Sequence, residues 1–249
     1  RNTAVNRTSI TGLACLLAVA LTACAGGGEP PAPSGSPASA PLEALKEPAN
    51  SMSVSPPLSP APVSAEALAA YRALLAGEPG ALDRPPEGLE LHQVTLPPAE
   101  ELEYVLLDLD GDGGAELVVQ MVEQPQQFNA VFHYGDGELS CWQYDIVEMS
   151  CRDYPLEDGA MVRQYDTGTG PNRYSNLYTV FRYLPDGETE ECASLAVHQD
   201  TQEDGTEVFT YLVDDAEVDQ DTFAAEFEEL VGSRLLSLED WIPATERPG

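Results

Sequence analysis

Five turn signals built from aspartate and glycine divide the segment between residues 90 and 213 into short runs of alternating apolar and polar residues. A period of two is typical of β-strands with one buried face, and Asp-Gly pairs are typical of tight hairpin turns. The turn signals are Gly111-Asp112-Gly113-Gly114, Gly135-Asp136-Gly137, Asp158-Gly159, Pro185-Asp186-Gly187 and Asp204-Gly205. The strands are predicted near residues 90–96, 103–108, 115–121, 129–134, 138–144, 160–165, 176–183, 191–198 and 207–213. This pattern predicts an antiparallel β meander.

Helical periodicity occurs on either side of this β region. Before it, Ser64 can cap a helix that stops at Gly77, and after it, Asp221 can cap a helix that stops at Gly232. The two apolar stripes consist of Leu68, Tyr71, Leu74 and Leu75, and of Phe223, Phe227, Leu230 and Val231. Residues 235–242 are predicted to return as an edge strand. The predicted fold class is therefore mainly β (α+β), an antiparallel meander with one helix before and one helix after the sheet.

The N-terminus carries two arginines and then an apolar run that begins at Leu13 and closes in Leu21-Thr22-Ala23-Cys24. The alternative of a transmembrane helix is disfavoured, because about 13 apolar residues fall short of the roughly 20 that a bilayer span needs. The flanks are typical of a processed targeting segment. The segment resembles the signal peptide and lipobox of bacterial lipoproteins. That resemblance implies removal of residues 1–23, a lipid anchor (diacylglyceryl) on Cys24, and a place on the outer face of the membrane, most simply in a Gram-positive bacterium.

Residues 24–63 connect this anchor to the rest of the chain. Ten prolines fall in residues 25–63, among glycine, serine and alanine. Such a segment cannot bury enough apolar surface to offset the loss of conformational entropy, so a disordered tether is predicted. The composition changes at Ser64, and residues 64–249 are predicted to form one compact β-rich domain.

The charge of the chain excludes two classes of partner. Residues 1–23 hold two of the 11 basic side chains and none of the 43 acidic ones, so the mature chain keeps 9 basic and 43 acidic groups, a net charge of −34. A surface this acidic repels nucleic acid and anionic lipid headgroups and attracts divalent cations. Membrane attachment is therefore expected to come from the lipid on Cys24.

An acidic loop, Asp108-Leu109-Asp110-Gly111-Asp112-Gly113-Gly114-Ala115-Glu116, separates two predicted strands. Calcium takes six to eight oxygen ligands, and carboxylates at loop positions 1, 3 and 5 converge when the backbone wraps around the ion. Gly114 can add its carbonyl oxygen, and Glu116 can close the shell. Position 12, an acid in an EF-hand, is Val119, and strands rather than helices flank the loop, so an EF-hand is excluded. The alternative is a turn without an ion, in which the aspartates repel one another.

The order strand, D-x-D-G-D-G-x-x-E, strand resembles the calcium loops of FG-GAP and VCBS-type β repeats. More closely, it resembles a group of bacterial surface lipoproteins that carry one copy in a small β domain, and the layout of residues 104–183 and 210–231 is similar to theirs. Since the chain shows one loop, a propeller of such repeats is not expected. The implied calcium is structural rather than catalytic. The resemblance implies side-chain ligands at Asp108, Asp110, Asp112 and Glu116 and a main-chain ligand at Gly114.

Three cysteines remain after Cys15 and Cys24 are set aside, and an odd number excludes a fully paired framework. These three are Cys141, Cys151 and Cys192. Either Cys141 and Cys151 form a bridge, or the thiols stay reduced, which is the favoured interpretation.

The function predicted from these features is a non-enzymatic, lipid-anchored binding domain stabilised by one calcium ion, with a protein or polymer ligand outside the cell. The three histidines lie on separate predicted strands, so a zinc site is disfavoured. They are His92, His133 and His198. No G-x-S-x-G or His-Glu-x-x-His motif occurs. The alternative is a hydrolase of a wall polymer or glycan that acts through acidic residues. A solute-binding lipoprotein is disfavoured because the chain lacks a two-lobed α/β pattern.

Overall fold

The computed structural model describes residues 62–123, 125, 128–146, 151–170 and 172–248. The predicted signal peptide (1–23), Cys24 and the tether up to residue 61 lie outside the described residues. Helix α1 spans Ala65–Leu75 and helix α2 spans Gln220–Leu230. The strands are β1 Leu102–Leu107, β2 Glu116–Met121, β3 Phe128–Gly135, β4 Glu138–Ile146, β5 Cys151–Pro155, β6 Met161–Gly170, β7 Arg173–Tyr183, β8 Thr189–Thr201, β9 Glu207–Val213, β10 Ala216–Val218 and β11 Ile242–Pro243.

The strands form two antiparallel sheets, and within each sheet successive strands pair with each other, except that β11 pairs with β1. Sheet 1 has the order β11-β1-β2-β3-β4, and sheet 2 has the order β10-β9-β8-β7-β6-β5. One helix precedes the strands and one follows β10, so the predicted fold class is confirmed. The meander is divided between two sheets, because β4 is the last strand of sheet 1 and β5 the first of sheet 2.

Apolar clusters among the described residues hold the layers together. One joins α1 to sheet 1 and includes Tyr71, Leu117 and Phe132, which are at most 1% exposed. Another joins the opposite face of sheet 1 to sheet 2; its buried members are Val105, Leu107, Leu109, Val118, Val131, Met161, Phe181 and Tyr183. Helix α2 covers the far face of sheet 2, where Phe227 packs edge-on against Tyr178 at 5.1 Å between ring centroids. Sheet 1 therefore lies between α1 and sheet 2.

A buried polar network also crosses between the sheets. Asp153 of β5, whose side chain is fully buried, forms an ion pair with Arg163 of β6 at 2.6 Å. From sheet 1, the Gln143 amide donates to the Asp153 carboxylate at 2.8 Å, and the Asn129 amide donates to its backbone oxygen at 2.7 Å. Because a buried charge is tolerated only when it is paired and hydrogen-bonded, this network fixes how the first strand of sheet 2 packs on sheet 1.

Some elements differ from the sequence-based expectation. Residues 90–96 contain a short 3₁₀ turn, Leu91–Gln93, in place of a strand; Glu90 and Gln93 close it as a capping box. Strands β5 and β10 were not predicted. Helix α2 is capped by Asp219, whose carboxylate accepts the Thr222 amide, instead of Asp221. The predicted edge strand at 235–242 is reduced to Ile242–Pro243, which pairs with β1.

Candidate metal centre

The loop between β1 and β2 is held in a tight curl by its own carboxylates. Asp108 accepts the amides of Gly111 at 2.7 Å and Gly113 at 3.1 Å, one on each carboxylate oxygen. Asp110 Oδ1 accepts the Asp112 amide at 3.0 Å. Gly111 and Gly113 have φ values of 77° and 88°, which few other residues adopt without strain. The glycines therefore allow the chain to turn back so that its aspartates face one another.

Three of the predicted ligands come together in this loop. One oxygen each of Asp108, Asp110 and Asp112 lies within 4.8 Å of the others, and we call this group the loop triad. Asp110 Oδ2 is buried, and no described residue donates a hydrogen bond to it. Burial, followed by the charges of Asp112 and Asp108, raises the pKa of Asp110 above its ordinary value, against the lowering effect of the Asp112 amide and His133. The loop triad can therefore hold a metal ion.

A second group shares Asp110 with the loop triad. It consists of Asp110, Glu116 and His133, whose ligand atoms lie within 4.8 Å of one another, and we call it the histidine triad. Glu116 is 1% exposed; its Oε2 accepts the Leu109 amide at 2.8 Å, and its Oε1 lies 2.9 Å from His133 Nδ1. Burial raises the pKa of Glu116 despite these contacts. Burial alone would lower the pKa of His133, but Glu116, with Asp110 and Asp112, raises it above its ordinary value.

Residues from several elements support the loop from outside. Leu109 is completely buried in the cluster between the sheets. The hydroxyl of Tyr71 in α1 donates to the backbone oxygen of Ala115 at 2.8 Å. On the sheet 2 side, Gly159 lies so close that a Cβ there would overlap the backbone oxygen of Asp108. The loop is therefore fixed by α1, by the core and by the β5–β6 turn.

The β5–β6 turn is itself tied to sheet 2 and to the segment after α2. The Asp158 carboxylate accepts hydrogen bonds from Arg182 and Arg234, each at 2.5 Å. Burial would raise the pKa of Asp158, but Arg234 and the other donors around it lower it below its ordinary value. This ion-pair cluster holds Gly159 against the loop between β1 and β2.

The structure therefore brings part of the predicted ligand set together. Asp108, Asp110 and Asp112 converge, and Glu116 lies beside Asp110 in the histidine triad. The amide of Gly114 donates to Asp112 at 2.6 Å, and a ligand role for its carbonyl oxygen stays a prediction. No disulfide joins Cys141 to Cys151, both of which are described; the Cys141 thiol donates to the Gln143 carbonyl at 3.1 Å instead.

His133 is the candidate ligand that sequence reasoning missed. The signal that could have found it is the register of the β2–β3 hairpin, in which Leu117 pairs with Phe132. Extending this register by one residue toward the β1–β2 loop places Glu116 opposite His133. The other two histidines lie elsewhere: His92 is largely exposed beside Glu90, and His198 Nδ1 lies 2.7 Å from the Ser175 hydroxyl.

Comparison with known proteins gives no assignment: no protein-family profile, curated protein or solved structure matches the chain. The resemblance of the loop to FG-GAP and VCBS-type repeats therefore stays a prediction. Within the described ranges, no helix combines the length and apolar character needed to cross a bilayer.

Proposed function

We propose that this protein is a non-enzymatic interaction domain on the outer face of a bacterial membrane, anchored by a lipid on Cys24 and stabilised by one calcium ion. Its ligand would be an extracellular protein or polymer. The proposed calcium ligands are the carboxylates of Asp108, Asp110, Asp112 and Glu116 and the carbonyl oxygen of Gly114.

The observation that carries the calcium proposal is the unpartnered oxygen of Asp110. Oδ2 is buried without a hydrogen-bond donor among the described residues, and oxygens of Asp108 and Asp112 lie within 4.8 Å of the Asp110 carboxylate. A buried polar atom without a partner costs about 1–3 kcal/mol, and more when it is charged. A cation among the three carboxylates would give Oδ2 a partner and remove their mutual repulsion.

The donor set favours calcium over other common cations. All side-chain donors of the loop triad are carboxylate oxygens, which suit a hard cation, and the flexible coordination of calcium tolerates an irregular loop better than the strict octahedron of magnesium. A weak site is enough for a protein outside the cell, where dissociation constants on the order of 10⁻⁴ to 10⁻³ M are common.

The position of the loop supports a structural role for the ion. Leu109, between two of the proposed ligands, is completely buried between the two sheets. An ion that fixes Asp108 and Asp110 would also fix Leu109 in the core. Binding to the folded loop alone would stabilise the fold by mass action.

The rest of the proposal is supported by the sequence of the N-terminal region and by charge. The lipobox-like segment ends at Cys24, and the proline-rich residues that follow would hold the domain away from the membrane. The net charge of the mature chain disfavours nucleic acid and anionic lipid as ligands.

Calorimetric titration of the protein with calcium tests the metal proposal. Asp112→Asn should weaken calcium binding at least tenfold, because it removes the charge of one ligand. Asp204→Asn is the matched control: Asp204 accepts the Thr206 amide two residues on, as Asp112 accepts that of Gly114, but it belongs to neither triad. Absence of calcium binding by the wild type, or equal losses in both variants, would refute the proposed site.

A further inference from the structure

The two triads differ in the chemistry of their donor atoms. The loop triad offers three carboxylate oxygens, whereas the histidine triad offers two carboxylate oxygens and an imidazole nitrogen of His133, whose Nδ1 lies 2.9 Å from Glu116 Oε1. The histidine triad is also the more buried, since the side chains of Glu116 and His133 are 2% and 16% exposed. Calcium rarely takes a nitrogen ligand, whereas imidazole suits zinc and other first-row transition metals.

The spacing of the histidine triad fits a small metal ion. Zinc binds imidazole nitrogen and carboxylate oxygen at about 2.0–2.2 Å, which places two ligands of a tetrahedral ion roughly 3.4 Å apart. The three ligand atoms lie within 4.8 Å of one another, and Glu116 Oε1 is already 2.9 Å from His133 Nδ1. Small side-chain adjustments would therefore bring all three atoms to an ion.

The ligands of the histidine triad are held in place by neighbouring groups. The Leu109 amide fixes the second oxygen of Glu116 at 2.8 Å. The His133 ring stacks on Trp142, with ring centroids 4.3 Å apart and an angle of 11° between the planes. Its Nε2 side lies against Gly135, where any Cβ would overlap the ring. Such outer contacts orient ligands at metal sites and contribute to affinity.

The unpartnered oxygen that supports the calcium proposal also bears on this position. Asp110 belongs to the histidine triad as well, and its Oδ2 is buried with no hydrogen-bond donor among the described residues. The Glu116–His133 contact leaves that oxygen unsatisfied.

We infer that Asp110, Glu116 and His133 form a site for a first-row transition metal of the zinc class, with His133 Nδ1 as the ligand that selects it over calcium. The site shares Asp110 and Glu116 with the proposed calcium site, but its nitrogen ligand is absent from that site, and the inference does not require the calcium proposal. Three protein ligands would leave one coordination position for water.

Titration of the full chain with zinc alone, and separately with calcium alone, tests the inference. His133→Gln keeps an amide that can donate to Glu116 but removes the nitrogen ligand. Loss of an outer-shell contact alone costs 10- to 100-fold in metal affinity, so this variant should bind zinc at least tenfold more weakly. Its calcium affinity should stay within about twofold of the wild type. Asp112→Asn should weaken calcium binding at least tenfold and leave the zinc affinity within about twofold of the wild type, because Asp112 belongs to the loop triad alone.

His92→Gln is the matched control, because His92 also has a glutamate beside it, with Nδ1 3.3 Å from Glu90 Oε2, but is 77% exposed and outside both triads. It should leave zinc binding unchanged. A wild type that binds calcium but not zinc would overturn the inference and leave the calcium proposal standing. A wild type that binds zinc but not calcium would refute the calcium proposal and leave the inference standing. Equal zinc affinity of the wild type and His133→Gln would also overturn it.

Nuclear magnetic resonance of the imidazole nitrogens gives a second test that needs no variant. Zinc should shift the nitrogen signals of His133 and leave those of His92 and His198 in place. Unchanged His133 signals at saturating zinc would refute the assignment even if the His133→Gln variant did not fold.

Discussion

Replacing Asp110 by asparagine separates two effects of its carboxylate on stability. One is the cost of an unpartnered buried oxygen in the absence of metal, and the other is the contribution to calcium binding. Asparagine keeps the side-chain oxygen that accepts the Asp112 amide at 3.0 Å. It replaces the unpartnered Oδ2 by an amide that can donate to the neighbouring carboxylates. Without metal, Asp110→Asn should therefore be as stable as the wild type or more stable. With calcium, it should be the less stable protein.

The size of the calcium effect follows from linkage. An ion that binds the folded state alone, at about 100 times its dissociation constant, stabilises that state by ~2.7 kcal/mol. For a domain of this size, 1 kcal/mol corresponds to roughly 2–4 °C in melting temperature. Calcium should thus raise the melting temperature of the wild type by about 5–10 °C, and Asp110→Asn should lose most of that increase.

Thermal melts of the wild type, Asp110→Asn and Asp204→Asn, each in calcium and in chelator, measure this directly. Asp204→Asn should keep the full calcium-dependent increase, because Asp204 lies in neither triad. The same melting temperature of the wild type in both buffers would refute the reasoning. So would an Asp110→Asn variant that keeps the full increase.

Three further predictions concern pH, packing and the anchor. Because the folded-state pKa of Asp110 is raised, the contribution of this carboxyl group to stability is present below its ordinary pKa of 3.8 and is lost as pH rises through the folded-state pKa. In chelator, urea unfolding should therefore show the wild type losing stability relative to Asp110→Asn over that pH range. A difference between the two proteins that stays constant with pH would contradict this. Gly159→Ala should destabilise the protein more than Gly205→Ala. Both glycines have φ near 80°, which costs alanine about 1–2 kcal/mol at either position. A Cβ at Gly159 would also overlap the backbone of Asp108, whereas a Cβ at Gly205 meets nothing within 4 Å. Equal urea midpoints of the two variants would argue against a tight contact. Cys24→Ala should release the protein into the medium or leave an unprocessed precursor, which fractionation and mass analysis detect; a variant that is cleaved after residue 23 and stays membrane-bound would exclude Cys24 as the anchor.

The hairpins could be predicted from the sequence because their signals are local. Asp-Gly turns and period-two alternation depend on neighbouring residues, and the predicted strands between residues 103 and 213 are present. The division into two sheets could not be predicted, because alternation identifies the buried face of a strand but not the sheet that the strand joins. Strand β5 was missed because it buries Asp153, and the ion pair with Arg163 that makes this burial tolerable is not visible in the local sequence.

The same distinction between local and long-range signals explains why the loop aspartates of the candidate metal centre could be predicted and His133 could not. Asp108, Asp110 and Asp112 follow one another at intervals of two in a single loop, so their convergence could be predicted from spacing. His133 is 17 residues from Glu116 in sequence. Its place beside the loop depends on the register of the β2–β3 ladder, which requires the pairing of the strands to be known.

The short sequence separation within the loop triad has a consequence for folding kinetics. Closing a short loop costs little entropy, so Asp108, Asp110 and Asp112 can gather around an ion before the sheets have formed. The histidine triad needs β2 and β3 to be paired first. Interactions already present in the folding transition state change the folding rate, whereas later ones change the unfolding rate. Calcium should therefore accelerate folding and zinc should slow unfolding, so the two metals would act on opposite kinetic steps of the same domain.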